Sequence, residues 1–140
     1  MIGALMVKKI IPKGYDLLNK GNLAEFMKDW ADDSVFVFPG NVKVSGTIKG
    51  KSEIEKWFKH MFEQFPKRKF TVKNAFIRNI CAFGATNSAA VEWEIEYSNK
   101  NGKEYKNFGV TVIEMKKGKA VAVRDYFRFT EYLKEAWGEV

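Results

Sequence analysis

The second half of the chain alternates between apolar and polar residues over long stretches, and this period of two most constrains the fold. Alternation at every second position is typical of β-strands, whose successive side chains point to opposite faces of a sheet. The alternating segments are 69–83, 88–98, 104–116 and 119–130. The turn signals between them are Gly84 to Asn87, Asn99 to Gly102 and Lys117 to Lys119. Because short turns join antiparallel neighbours, we expect an antiparallel meander.

Apolar residues at helical spacing precede the meander in three places. The first helix is predicted from Val7 to Leu18, with Pro12 either kinking it or marking its true start, and Gly21 ends it. Capping boxes at 22–25 and 52–55 open the other two. Their apolar faces are Leu23, Phe26, Met27 and Trp30 in the second helix, and Ile54, Trp57, Phe58, Met61, Phe62 and Phe65 in the third.

Between the second and third helices, Ser34 to Phe38 reads as a strand closed by Pro39 and Gly40, and 41–50 reads as a polar loop. Helices followed by a meander indicate an α+β domain, in which the helices cover one face of a strongly bent sheet. The 140 residues are expected to form one domain, 1–140, with a sizeable core. Twelve Phe suit either a thick core or an aromatic pocket with a buried subunit interface.

Charge and cysteine content exclude several classes of protein. The net charge of +7 comes from scattered Lys and Arg, and no basic stripe or nucleic-acid motif occurs, so we expect no nucleic-acid partner. The single Cys81 excludes an intramolecular disulfide and a cysteine metal cluster, which makes the cytoplasm the expected compartment. No segment approaches the roughly 18 apolar residues of a membrane helix, so no membrane partner is expected.

The last predicted strand carries one acid in an apolar row. Alternation places Val121, Val123, Asp125, Phe127 and Phe129 on one face of the segment. One interpretation pairs Asp125 with a nearby arginine or lysine at the rim of the sheet, because buried acids survive when they are paired or neutral. The other makes Asp125 a cavity acid, with a pKa raised by desolvation and suited to general acid or base chemistry.

A second acidic feature is the alternation of Glu92, Glu94 and Glu96 with apolar residues in segment 88–98. If the apolar row faces the helices, the glutamates face solvent. If the glutamates face inward, a dimer partner would have to bury the apolar row, and Glu94 would come within reach of Asp125. Two carboxylates within hydrogen-bonding reach of each other would share a proton, which raises the pKa of one of them.

Other catalytic motifs are missing from the sequence. His60, the single histidine, lies on the polar flank of the third helix, so histidine-rich metal sites are excluded and a catalytic triad would need that residue. No phosphate-binding glycine loop occurs. Chemistry in this chain would therefore depend on carboxylates, tyrosines and the low dielectric of a closed pocket.

At this point the chain resembles the nuclear transport factor 2-like superfamily, in its SnoaL-like and limonene epoxide hydrolase-like branches. The similar pieces are KGNLAEFMKDWADDSVFVFPG, IKGKSEIEKWF and GKAVAVRDYFRFTEY. The resemblance implies a cone, a curved antiparallel sheet wrapped around three N-terminal helices in a cystatin-like α+β roll. It also implies a pocket between sheet and helices and a homodimer through the outer sheet face. Because this fold hosts many enzymes and adaptors, it does not imply one reaction.

Residue by residue, the resemblance to limonene epoxide hydrolase places its final acid on Asp125 and its second acid on Glu94. Its bridging arginine falls on Glu92, and its water-positioning tyrosine and asparagine fall on Phe36 and Phe38. In the ketosteroid isomerase pattern, the base, the oxyanion acid and the tyrosine fall on Phe38, near Thr111 and near Gly14. These positions lack the polar groups of both enzymes, so neither activity is expected.

The sequence therefore predicts a dimeric protein that binds a small apolar molecule and catalyses isomerisation, cyclisation or hydration on it. Asp125 and Glu94 are the predicted catalytic pair. The predicted ligand-binding residues are Tyr15, Trp30, Phe36, Phe38 and Trp57. No metal or organic cofactor is predicted. The alternative from another class is a non-catalytic ligand-binding or protein-interaction module, in which Asp125 is paired with an arginine.

Overall fold

The computed structural model describes residues 5–79 and 86–139. A short π-helical stretch, Met6–Ile10, leads directly into helix α1, Ile11–Lys20. Pro12 lies in the first turn of α1, where a missing backbone donor costs little, which supports the expected start near this residue. Gly21 follows with φ 72° and donates its N–H to the carbonyls of the last turn, as predicted.

The second predicted helix is shorter than expected. Helix α2, Leu23–Met27, is capped by Asn22, whose Oδ1 accepts the N–H of Glu25 at 3.3 Å. Trp30 was predicted on the apolar face of this helix but instead begins a strand, because it pairs with Ala120 across the sheet. Helix α3, Lys51–Gln64, starts after Gly50, so the serine of the predicted capping box lies inside its first turn and does not cap it.

The sheet has six strands in the order β2-β1-β6-β5-β4-β3. Their bounds are β1 Trp30–Phe38, β2 Gly46–Lys49, β3 Lys67–Ile77, β4 Thr86–Ser98, β5 Glu104–Lys116 and β6 Lys119–Phe127. Neighbours are antiparallel except for β1 and β6, which are parallel. The predicted meander is thus confirmed for β3 to β6, although Thr86 and Asn87, predicted in the first turn, begin β4. Residues 80–85, which include Cys81 and the other half of that turn, lie outside the described residues.

Strand β2 corrects the sequence analysis, which predicted a polar loop over 41–50. Residues 46–49 pair with 35–38 of β1 and form an edge of the sheet. The pairing occupies the backbone groups of β1 on the side that β6 does not reach. The result is an α+β fold in which a curved, unclosed sheet wraps around the N-terminal helices.

The inner face of the sheet carries the apolar rows. In β4, Val91 and Trp93 are buried, and the alternating glutamates lie on the outer face, which decides between the two orientations left open above. In β6 the alternation is interrupted. Ala120 lines the interior, but so do Val123 and Asp125, because the pairing with β5 shifts by one residue around Val121.

The last helix closes one end of the cone. Helix α4, Leu133–Ala136, follows the last strand. Gln64 of α3 donates from Nε2 to the Ala136 carbonyl at 2.8 Å, and the Trp137 ring packs on Phe65 at 4.9 Å between centroids. Within residues 5–79 and 86–139, no helix has the length and apolar character needed to cross a membrane.

Candidate functional site: an apolar cavity with one acid in its wall

A cavity of about 470 Å³ lies between the inner face of the sheet and the helices. This volume is within the roughly 300–1,000 Å³ range of small-molecule pockets. All five predicted ligand-binding residues line it, together with Asp125. The other charged side chains among the described lining residues are Lys13 and Asp29. The cavity therefore offers a ligand mostly carbon surface, with polar groups at few points.

Aromatic rings form the wall between β1 and α3. Phe36 and Phe38 point inward from β1 because they lie two residues apart on a strand. Their ring centroids lie 4.9 and 4.8 Å from the ring of Trp57 on α3. Trp30 meets Phe36 edge to face at 6.2 Å. These contacts fix the shape of the wall, since each ring is held in a tilted or edge-to-face arrangement.

Asp125 lies on β6 directly opposite Thr111 of β5. The Thr111 hydroxyl donates to Oδ1 of Asp125 at 2.6 Å, and the indole Nε1 of Trp93 donates to the same Thr111 oxygen at 2.8 Å. Three neighbouring strands thus contribute one residue each to a chain of hydrogen bonds that ends at the carboxyl group. Trp93 can lie flat beside β5 because position 109 is glycine, where a Cβ would come within 2.5 Å of the indole.

Burial raises the pKa of Asp125 to about 7, against the opposing effect of the hydrogen bond from Thr111. Burial also raises the pKa of Tyr15, and the charge of Asp125 adds to that effect, while hydrogen bonding to Thr111 and Trp93 opposes it. Tyr15 therefore stays a neutral hydroxyl beside an acid that titrates near neutrality. Such a pair can hold a polar atom of a ligand and exchange a proton with it.

The rim-pairing interpretation of Asp125 does not match the structure. Arg124 binds Glu114 at 3.0 Å on the outer face, and the guanidinium of Arg128 lies over the ring of Phe129 at 5.3 Å. In the part of the chain that the structure describes, no basic side chain forms an ion pair with Asp125. Desolvation therefore acts on this carboxyl without a compensating positive charge.

Glu94 requires a correction. It lies on the outer face of β4, where its carboxylate binds Lys106 at 2.7 Å and Lys73 at 3.6 Å. The hydrogen bond from Lys106 is the largest cause of a lowered pKa of Glu94. Because the sheet separates Glu94 from the cavity, the expected pairing with Asp125 does not occur. The inward-glutamate interpretation was wrong, since burial of the Trp93 row on the inner face excludes it.

Two polar residues of the site, Thr111 and Trp93, were missed as neighbours of Asp125. A regular hairpin around Gly118 would place Asp125 opposite Val110. The one-residue shift at Val121 moves it opposite Thr111, and the alternation pattern contains no clear signal for such a bulge.

Among the described residues, no group of three or more metal-ligating side chains occurs.

The cone of helices and curved sheet, with an apolar cavity between them, is the fold of the nuclear transport factor 2-like superfamily. A family model described as a SnoaL-like domain matches residues 13–123, more than half of the chain. The chain belongs to this SnoaL-like family. No curated protein matches it.

Solved structures share the fold at low sequence identity. A Bacillus subtilis protein with a provisional isomerase assignment is 23% identical, with a TM-score of 0.81 over 100% of this chain and 98% of that chain. Bal32a, from a soil-derived mobile gene cassette, is 17% identical, with a TM-score of 0.77 over 91% of this chain and 92% of that chain. TerC, co-crystallised with polyporic acid, is 18% identical, with a TM-score of 0.73 over 91% of this chain and 94% of that chain.

Proposed function

We propose that this protein binds a small, largely apolar molecule in its cavity and catalyses proton transfer on it, as isomerisation, cyclisation or hydration. Asp125 is the general acid or base of this proposal. Tyr15, Trp30, Phe36, Phe38 and Trp57 contact the ligand. The single observation that carries the proposal is the carboxyl group of Asp125 in the wall of a largely apolar cavity, where no described basic residue forms an ion pair with it.

The chemistry follows from the environment of that carboxyl group. An acid with a pKa of about 7 is present in both protonation states near neutral pH, so it can take a proton from one atom and return it to another. The apolar wall keeps water away and strengthens electrostatic interactions with the ligand. Each of the three reaction types needs such a proton exchange at a carbon or oxygen atom of the substrate.

One of the similar structures is consistent with the proposed reaction, and another with the proposed ligand class. The Bacillus subtilis protein has a provisional isomerase assignment, and TerC was co-crystallised with polyporic acid. An aromatic ligand would fit the ring wall formed by Phe36, Phe38 and Trp57, since aromatic rings prefer edge-to-face neighbours. We therefore propose ring-containing apolar compounds as the first group to test.

The experiment begins with native mass spectrometry of the purified protein, to find any compound that remains bound, followed by thermal shift measurements with ring-containing ketones and phenols. Turnover of each binder is then compared in wild type, Asp125→Asn and Glu96→Gln. Glu96→Gln makes the same acid-to-amide change on the exposed outer face. We expect turnover to fall at least about 100-fold in Asp125→Asn alone, the usual contribution of a general acid or base.

Wild-type turnover in Asp125→Asn would contradict the catalytic proposal. Tight binding without turnover by any variant would favour the alternative, a non-catalytic ligand-binding module. Absence of binding by every compound, with a purified protein that carries no ligand, would contradict the proposed ligand class.

We also propose that the whole chain, 1–140, is one domain that forms a homodimer through the outer face of the sheet. Phe76 and Tyr126 support this, because they lie on that face with 63% and 53% of their surfaces exposed. The same face carries glutamates and basic residues in adjacent rows, so a two-fold partner could match both signs of charge. The cytoplasm remains the expected compartment, on the evidence of the single cysteine.

A further inference from the structure

The chain of hydrogen bonds at Asp125 begins at a group that can only donate. An indole N–H can only donate, so Trp93 must donate to Thr111, and it occupies one lone pair of the Thr111 oxygen. The Thr111 hydroxyl has a single proton, and the nearest acceptor along this chain is Oδ1 of Asp125, at 2.6 Å. Oδ1 therefore accepts this proton when the carboxyl group is charged, and it stays an acceptor in the neutral acid when the acid's own proton is on Oδ2.

The second carboxyl oxygen, Oδ2, has a different environment. None of the described residues donates a hydrogen bond to it. The only fully buried side-chain oxygen or nitrogen without a partner among the described residues is Oγ of Ser34, so Oδ2 keeps accessible surface. Because Asp125 lines the cavity and is only partly buried, that surface opens into the cavity.

We propose that Thr111, oriented by Trp93, is a positioning residue that holds the proton of neutral Asp125 on Oδ2, the oxygen available to a ligand. The inference rests on the proposed function for its catalytic meaning, since it names the oxygen that would exchange the proton. It makes Thr111 more than a packing residue of β5. It also explains why a tryptophan with a hydrogen-bonded N–H lies against a glycine on the inner face of the sheet.

The direction of the bond determines the sign of a measurable shift. If Thr111 donates, its hydroxyl stabilises the carboxylate, and Thr111→Val raises the pKa of Asp125. If instead the proton lay on Oδ1 and was donated to Thr111, the bond would stabilise the neutral acid, and the same substitution would lower that pKa. The other titratable groups that line the cavity are Lys13, Tyr15, Asp29 and Tyr97. These groups are the same in wild type and in Thr111→Val, so the comparison isolates the effect of the Thr111 hydroxyl.

The test is a carbon NMR titration of the Asp125 carboxyl group in the free protein, with the signal assigned by its absence in Asp125→Asn. We expect the midpoint to rise by roughly one to two pH units in Thr111→Val, the usual effect of losing a hydrogen bond to a charged group. Thr111→Ser keeps the hydroxyl and should leave the midpoint within about half a unit of wild type.

A lowered or unchanged midpoint in Thr111→Val, or an equal rise in Thr111→Ser, would overturn the proposal. Should Thr111→Val fail to fold, Trp93→Phe is titrated instead, because it removes the donor that orients the hydroxyl, and a rise is again expected. No ligand enters this titration. Its failure is therefore distinguishable from that of the proposed function, which is decided by turnover in Asp125→Asn.

Discussion

At the scale of single residues, Asp125 costs the fold stability under the conditions in which it would act. Its pKa is raised from 3.8 to about 7 in the folded protein, so the folded state binds more protons than the unfolded state between those values. Stability therefore falls as the pH rises from about 4 to about 7 and levels off above that. A group kept at such a cost, with no pairing partner described, is more typical of a functional site than of a structural one.

The first prediction concerns this pH dependence. Asp125→Asn removes the titration, so its free energy of unfolding relative to wild type should increase between pH 4 and pH 8. The increase should be up to about 4 kcal/mol, the equivalent of the shift from 3.8 to about 7. Urea denaturation at several pH values measures it, with Glu96→Gln as the control for the change in net charge. A difference independent of pH would show that the carboxyl group is not desolvated.

The second prediction concerns Gly109. A Cβ at this position would lie 2.5 Å from both the Trp93 ring and the Tyr126 carbonyl oxygen. Gly109→Ala should therefore destabilise the protein by about 1–3 kcal/mol and displace the indole from Thr111. Urea denaturation and tryptophan fluorescence measure the two effects. Gly14→Ala is the matched control, because a Cβ there meets nothing within 4 Å and should stabilise α1 by up to about 1 kcal/mol.

At the scale of elements, the sequence predicted the long strands well and the short elements less well. Period-two alternation over nine or more residues leaves little ambiguity, which is why β3 to β6 were found. The four residues of β2 are too few for a pattern, and their partner strand alone makes them extended. Trp30 would be buried among apolar residues in a helix or in a strand, so its sequence context does not distinguish the two. Its pairing with Ala120 is what places it in a strand.

The direction of each face is a second limit of sequence reasoning. Alternation shows that Glu94 and Trp93 point opposite ways, but it does not show which one points inward. For Asp125 the inward face was anticipated from its apolar row, yet the bulge at Val121 is what produces it. Ala120 is also inward, so an unbroken alternation from Ala120 would have turned Arg124 inward and Asp125 outward.

The third prediction tests that bulge. Inserting one alanine between Val123 and Arg124 cancels the one-residue shift of the bulge and should bring Arg124 opposite Thr111, to the cavity wall, in place of Asp125. We expect the free energy of unfolding to fall by at least about 3 kcal/mol, because an unpaired charge would face apolar surface. Urea denaturation measures the loss. Inserting one glycine beside Gly118 lengthens the turn without moving the register and should cost less than about 1 kcal/mol. Equal losses in both variants would contradict the role given to the bulge.

At the scale of the whole molecule, the two faces of the sheet have separate tasks. The inner face encloses the cavity, and the outer face carries exposed aromatic rings between charged rows. Because Glu94 faces outward, the apolar residues of β4 around Trp93 are buried inside the protein and need no dimer partner to cover them. The proposed dimer is therefore supported by the exposed aromatic rings and by the family resemblance alone. Glu94 bound to two lysines fits an outer face with ordered charges.

The fourth prediction tests the dimer. Light scattering at micromolar concentration should give twice the chain mass of 16.1 kDa. Val110→Glu introduces a charge in the middle of the outer face, opposite Glu92, and should shift the protein to monomer. Lys59→Glu on the exposed side of α3 changes the charge by two units elsewhere and should leave the dimer intact. A wild-type monomer would refute the dimer proposal.

The parallel pairing of β1 with β6 joins the earliest strand of the sheet to the latest one. During synthesis on the ribosome, eighty further residues, 39–118, follow β1 before its second neighbour, β6, begins. Until β6 is added, the edges of β1 and β5 that it will occupy remain unpaired, although α1 can already pack on β3 through the hydrogen bonds between Asn19 and Phe70. The cavity, whose wall includes Val123 and Asp125 of β6, is therefore complete only after this strand has been made.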